Sequence, residues 1–244
     1  MRRPVARRRV LALNLLVRTA RSSFGTAPDP NICVGVRAPN VHHRVWVGEA
    51  CPPVQDLVSL VTAALLLKPD RIGYIATHSW WESNGCAPVA QCHRAFGVKH
   101  RRFDLSDPMN PFLAATTHFN LYQKMIRSRC TVSERRCFRR EHVSDFMRLF
   151  VVNEQGGYYL DADSFVVNKD LHARFASCPF AIFSQHAEDD GMRHVNNGAF
   201  MSRPNSSFGA AWWRYFSQWD GSLWRCRNLL ALGTMPELHL FRSE

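Results

Sequence analysis

Apolar and polar positions along this chain change period several times, and the changes mark out its elements. From about Val41 to Val47 a short β-prone run reads as a strand. It leads through Pro52-Pro53 into a helix from about Val54 to Leu67, with apolar residues at Leu57, Leu60, Val61, Ala64 and Leu65. Pro69 stops that helix, and Arg71 to Thr77 reads as a second strand. The region from about Glu82 to Arg140 is read as irregular, with a helix from Ala114 to Arg127. From Val143, apolar residues at Phe146, Met147, Phe150 and Val151 follow the i, i+3, i+4, i+7, i+8 series of a helix burying one stripe, predicted over His142 to Gln155. Gly156 and Gly157 end it, because glycine enters the left-handed region without a Cβ penalty, and Tyr158 to Leu160 reads as a strand. Phe180 to Ser184 and Ala199 to Ser202 read as further strands, and Ser207 to Trp219 as an aromatic-rich helix. This order predicts an open α/β sheet flanked by helices, with any ligand at the carboxyl ends of its strands.

The stretch from His142 to Phe165 concentrates the chemistry. Asp145 and Arg148 stand three apart on the predicted helix, about 60° from each other and roughly opposite the apolar stripe. Taken alone, such a pair is a solvated surface ion pair. Leu149 and Val152 project to the same side, however, so that face is not plainly a wet one and the pair is a candidate to line a cleft. Asp161 and Asp163 sit two apart. If the strand geometry persists, both carboxylates leave one side with roughly 7 Å between Cα atoms. Two hard oxygen ligands at that spacing suit a divalent ion such as Mn²⁺ or Mg²⁺, which keeps positions for water and phosphate. A bare D-x-D is more often a turn or a solvated strand end. Here it follows directly on a helix, a double glycine and a strand.

That block resembles the sugar-nucleotide-binding region of DxD-motif glycosyltransferases. The group includes the initiating α-1,6-mannosyltransferase of yeast, the α-1,4-galactosyl- and N-acetylglucosaminyltransferases of animals (a family 32-like pattern) and, more distantly, the clostridial glucosylating toxins. Their shared pattern is S-D-x-x-R, a hydrophobic helix, then G-G-x-Y-x-D-x-D. This chain reads Ser144-Asp145-Phe146-Met147-Arg148, then Gly156-Gly157-Tyr158-Tyr159-Leu160-Asp161-Ala162-Asp163. The resemblance implies that Asp145 and Arg148 contact the donor sugar, that Tyr159 lines the same pocket, and that Asp161 and Asp163 engage ribose and metal. His43 to Gly48 resembles the family's H-x-x-W-x-G strand, which makes Trp46 a platform for the nucleotide base. Asn196-Asn197-Gly198 resembles the strand that follows the metal site and adds Asn197, although Asn before Gly is also an ordinary turn signal. The implied fold is the GT-A-type, Rossmann-like nucleotide-diphospho-sugar transferase fold.

Composition narrows the setting. The chain has 244 residues, 46% hydrophobic and 21% charged, ordinary for one globular domain. Its net charge of +11 first suggests nucleic acid, but residues 1 to 30 hold seven arginines against Asp29 alone, and no nucleic-acid-binding motif accompanies the rest. Residues 1–30 are read as a basic targeting or disordered segment, and 31–244 as the GT-A-like domain. The basic clusters around Lys99 to Arg102 and Arg127 to Arg140 suit an anionic diphosphate or a membrane surface, against an ordinary reading as solvated loops. Eight cysteines show no C-x-x-C pair and no zinc spacing. In an oxidising lumen, Cys86 with Cys92 and Cys130 with Cys137 are the expected short bridges, and Asn205-Ser206-Ser207 is a glycosylation sequon.

These readings combine into one expectation. The chain is a metal-dependent glycosyltransferase that moves a sugar from a UDP- or GDP-sugar to a glycan or glycolipid acceptor with retention, in the Golgi or another secretory lumen and associated with membrane. Against the family pattern the chain ends early, which supplies the alternative of a catalytically inactive sugar-nucleotide-binding relic. A phosphohydrolase would need a second cluster of metal ligands, and none is seen in the sequence.

Overall fold

The computed structural model describes residues 36–103, 140–186 and 193–212, Phe208 excepted. Along the chain run β1 (Val41–Trp46), α1 (Val54–Leu67), β2 (Arg71–Ala76), two 3₁₀ turns (Trp80–Glu82 and Asn84–Cys86), α2 (Ala87–Ala95) and β3 (Lys99–Arg102). After residues 104–139 come α3 (Arg140–Gln155), β4 (Gly157–Leu160), α4 (Leu171–Phe175), β5 (Phe180–His186) and β6 (Arg193–Ser202). The six strands form one mixed sheet in the order β3-β2-β1-β4-β6-β5. The first four are parallel, and β6 runs antiparallel to both β4 and β5. β1 therefore has β2 on one side and β4 on the other. The strand order reverses between β1 and β4, the point at whose carboxyl ends open α/β sheets bind their ligands.

The expected strands and the two long helices are present at nearly the expected bounds. Three features differ from the sequence reading. Within 82–103, read as irregular, lie the second 3₁₀ turn, α2 and β3. β6 starts at Arg193, well before Ala199, because it pairs with β5 past a bulge between Ile182 and Ser184. The face that α1 buries is Asp56, Ser59, Leu60, Ala63 and Leu67, one residue round from the apolar series, so Val54, Val58 and Leu65 are exposed. The expected helix Ala114–Arg127 and the Cys130–Cys137 pair lie outside the described residues, as does the chain beyond Trp212, where the helix expected from Ser207 has begun.

Two clusters of side chains pack between the sheet and its helices: Ala38, Ala63, Leu67, Tyr158, Leu160 and Met201 in one, Leu60, Ile72, Tyr74, Trp80, Ala90 and Val98 in the other. α3 lies against β1, β4 and β6. It is buried nearly all round, since Leu149 and Val152 are as inaccessible as Phe146 and Phe150. At its end Gly156 and Gly157 take φ of 66° and 99°. A Cβ on Gly157 would lie 2.3 Å from the carbonyl oxygen of Val41, so the parallel pairing of β1 with β4 requires glycine there. Among the described residues no helix is long and apolar enough to cross a membrane.

The cysteine expectation needs correction. Cys86 is bonded to Cys51, 35 residues away, and Cys92 is free. The sequence reading favoured the shorter loop, whereas the fold brings the segment after β1 against the second 3₁₀ turn. Closing a loop of this size is worth about 3 to 4 kcal/mol. Non-reducing peptide mapping is expected to recover a Cys51–Cys86 peptide, and reduction should lower the melting temperature. A Cys86–Cys92 peptide would contradict the fold at this corner.

Candidate active site

Asp145 and Arg148 project from α3 into the interior, not into solvent. They are 3% and 7% exposed, which rules out the surface ion pair as their reading. Arg148 is held from its own helix by Ser144, whose carbonyl accepts from Nε at 3.3 Å and whose hydroxyl accepts from Nη2 at 2.9 Å. Nη2 also lies 3.5 Å from Asp145 Oδ1. The guanidinium stacks over the Tyr159 ring, 4.6 Å from its centroid, and Nη1 reaches Asp161 Oδ1 at 3.0 Å. Burial opposes its charge, but Tyr159 and the carboxylates of Asp145 and Asp161 outweigh that, and its pKa is raised.

Asn197 closes the cluster from β6. Its side-chain amide donates to Asp145 Oδ1 at 2.8 Å, and its backbone carbonyl accepts from Arg148 Nη1 at 3.2 Å. The antiparallel pairing of Leu160 with Ala199 sets this approach, and the Asp161 amide donates to the Gly198 carbonyl at 2.6 Å just beyond it. The residue that sequence supported least is thus as closely bonded as the others. Tyr159 points to the same side of β4 as Phe200 and donates its hydroxyl to Asp161 Oδ1 at 2.7 Å. Burial raises the phenol pKa, so Tyr159 is a neutral donor at any physiological pH.

The spacing expected for the two acidic residues does not hold. β4 ends at Leu160, and Ala162 and Asp163 form a turn closed by the Ser164 amide on the Asp161 carbonyl at 3.0 Å. The carboxylates therefore differ in setting. Asp161 is 31% exposed and tied to Arg148 and Tyr159, while Asp163 is exposed at the tip. Trp46 stands at the carboxyl end of the neighbouring strand β1, partly packed on the Leu60–Tyr74–Trp80 cluster, with Nε1 donating to the Ala50 carbonyl at 2.9 Å. The structure thus bonds Asp145, Arg148, Tyr159, Asp161 and Asn197 into one set with Asp163 two residues beyond it, while Trp46, at the end of the neighbouring β1, has its contacts in the Leu60–Tyr74–Trp80 cluster and at Ala50.

The donor chemistry fits a hard divalent cation. Asp163 offers an exposed carboxylate, and Asp161 has Oδ1 engaged with Arg148 and Tyr159, leaving Oδ2 for a ligand. Among the described residues no group of three or more His, Cys, Asp or Glu converges. A two-carboxylate site suits an ion whose remaining positions go to phosphate and water.

Residues 89–175 match the family model described as "Glycosyltransferase sugar-binding region containing DXD motif". The match spans just over a third of the chain and includes Asp145, Arg148, Tyr159, Asp161 and Asp163. No curated protein matches the chain in sequence. Among solved structures the chain is similar to the PaToxG glycosyltransferase, with a TM-score of 0.54 and 14% identity over 81% of this chain and 69% of that one. It is also similar to a transferase solved as a double cysteine-to-serine mutant, with a TM-score of 0.50 and 13% identity over 85% and 89% of the two chains. At such identities the likeness establishes the fold, which is of the GT-A type. The family-model match supports a transferase.

Proposed function

We propose that this chain is a metal-dependent glycosyltransferase that takes its sugar from a nucleotide-sugar donor and passes it, with retention, to a glycan or glycolipid acceptor, as in the family 32-like enzymes. One observation carries the reading: the bonded set Asp145–Asn197–Arg148–Tyr159–Asp161, with Asp145, Arg148 and Tyr159 buried, leads directly to an exposed Asp163 at the point where the strand order reverses. A structural ion pair needs only two of these residues. A cleft that must hold a polar sugar beside a diphosphate needs an anchored carboxylate and an anchored guanidinium, with an acidic tip beyond them.

In this scheme Asp163 would hold Mn²⁺ or Mg²⁺ directly, and Asp161 would turn its remaining Oδ2 toward the cation and the ribose. A bound cation supplies neutralisation of the charge that develops as the nucleoside diphosphate departs from the anomeric carbon. Asp145 accepts from sugar hydroxyls, and Arg148 donates to the sugar or to the adjacent diphosphate oxygens. Tyr159, locked by its bond to Asp161, walls the pocket, and Asn197 fixes the Asp145 carboxylate. Trp46 stacks on the base. The Cys51–Cys86 bridge supports an oxidising, secretory setting.

The reaction class is tested by screening UDP- and GDP-sugars for Mn²⁺-dependent hydrolysis. Turnover of one donor is the expected result. Binding of a nucleotide sugar with no turnover of any donor or acceptor would instead identify a sugar-nucleotide-binding relic. The base platform has its own test: Trp46→Ala should weaken nucleoside diphosphate binding by about 1 to 3 kcal/mol, the range for base–aromatic stacking, in a protein that still folds. Unchanged affinity by calorimetry would leave Trp46 a packing residue of the neighbouring cluster.

A further inference from the structure

Beneath the acidic turn lies a buried polar set that none of these roles uses. Arg44, central in β1, is 1% exposed. Its Nη1 donates to Asp56 Oδ1 at 3.3 Å and to the backbone carbonyl of Asp161 at 3.0 Å, and its Nη2 donates to Ser59 Oγ at 2.6 Å. The Ser59 hydroxyl in turn faces two carbonyl oxygens, that of Asp161 at 3.4 Å and, in much closer contact, that of Ser164. Tyr74 completes the set by donating to Asp56 Oδ2 at 2.8 Å. Both ends of the turn that carries Asp161 and Asp163 are thereby bonded, through the backbone, to a guanidinium and a hydroxyl fixed in β1 and α1.

Stability alone does not explain these residues. A sheet–helix interface filled with apolar side chains avoids the cost of desolvating Arg44 and Asp56, and replacing buried ion pairs in that way is often neutral or stabilising. The phase of α1 is itself set by the polar set, since Asp56 and Ser59 face inward while Val54 and Val58 face water. What the polar set provides is a hold on the backbone carbonyls at both ends of 161–164, beyond the Ser164 and Asp161 amide bonds and the side-chain bonds of Asp161 to Arg148 and Tyr159.

We infer that Arg44 and Ser59 are positioning residues: they hold the backbone of the Asp161–Ser164 turn so that its two carboxylates present a preorganised site to a divalent cation and diphosphate. The inference rests on the reading of that turn as a metal–diphosphate site, and its test separates the two. In the full chain, Ser59→Ala removes the hydroxyl that reaches the Ser164 carbonyl and leaves the Arg44–Asp56 pair and the direct Arg44–Asp161 carbonyl bond intact. Without metal, hydrogen exchange over 161–166 is expected to quicken by about tenfold, the scale of one buried hydrogen bond. With UDP or GDP present, apparent Mn²⁺ affinity should fall by a similar factor, while turnover at saturating Mn²⁺ stays within about twofold of the parent. Arg44→Lys keeps a charge beside Asp56 but cannot fork to three acceptors, and should shift both readouts the same way. The control is Asn40→Ala, which removes bonds to the Leu67 and Lys68 carbonyls at the other end of α1. It should lower thermal stability with no change at the turn. Unchanged exchange and Mn²⁺ affinity in folded Ser59→Ala, or equal losses in Asn40→Ala, would overturn the inference. A parent chain that binds no Mn²⁺–nucleotide would sink the metal reading instead, and the exchange comparison would still decide whether Ser59 and Arg44 hold the turn.

Discussion

Asp163→Ala is expected to lower donor turnover by roughly a hundredfold or more, and excess Mn²⁺ should rescue it poorly. Deleting this carboxylate leaves the diphosphate facing Asp161 with a weakened hold on the cation, at the point where leaving-group charge develops. Losses of electrostatic stabilisation at such points fall in the range of two to three powers of ten. The fold should not suffer. Asp163 is exposed in a turn whose backbone is fixed by other residues, so the melting temperature without ligand should stay the same or rise slightly. A mutant that turns over like its parent would remove Asp163 from the site.

Arg148→Met carries the largest expected stability change. The guanidinium is shared by Asp145, 3% exposed, and Asp161, and removing it takes a cation away from a buried carboxylate that also accepts from the Asn197 amide. Breaking a buried pair from one side costs about 3 to 5 kcal/mol. Urea unfolding should show a lower midpoint at unchanged slope, and adding Asp145→Asn should restore part of the loss, since that buried charge is then gone. Arg148→Lys separates stability from chemistry. It retains the charge without the planar fork, so it should impair turnover of the intact donor far more than binding of the free nucleoside diphosphate. Arg148→Met as stable as the parent would mean that the buried pair adds nothing to the fold, and equal losses for both ligands in Arg148→Lys would return Arg148 to a purely structural role.

The sequence made α3, the double glycine and β4 legible because each left a local signature: a 3.6-residue apolar period, two glycines that take φ of 66° and 99°, and a short aromatic run. β3 left none. Lys99-His100-Arg101-Arg102 has no apolar alternation because, among the described strands, it is an edge strand paired only with β2. α2 buries only Ala90 and His93, too few positions to declare a period. The phase of α1 was hidden for a different reason. A hydrophobicity pattern assumes that the sheet below is apolar, whereas Arg44 sits there and draws Asp56 and Ser59 inward. An arginine in the middle of a central strand, with aspartate and serine three apart in the next helix, was the available signal. At the site, types and spacing singled out Asp145, Arg148, Tyr159 and Asp161, which the structure bonds to one another, but long-range pairing was needed to join Asn197 to Asp145 and to show that the acidic pair lies on a turn. Cys51–Cys86 likewise depends on contacts 35 residues apart.

In the proposed reaction Asp163 and Asp161 would hold a divalent cation against the diphosphate of a nucleotide sugar. Its most direct measurement is hydrolysis of UDP- and GDP-sugars by the parent and by Asp163→Ala, each with Mn²⁺ and with EDTA. The parent is expected to turn over one donor with Mn²⁺ and to lose that activity in EDTA, while Asp163→Ala should remain near the EDTA level under both conditions. Full activity of the parent in EDTA, or an Asp163→Ala variant that responds to Mn²⁺ as the parent does, would contradict it.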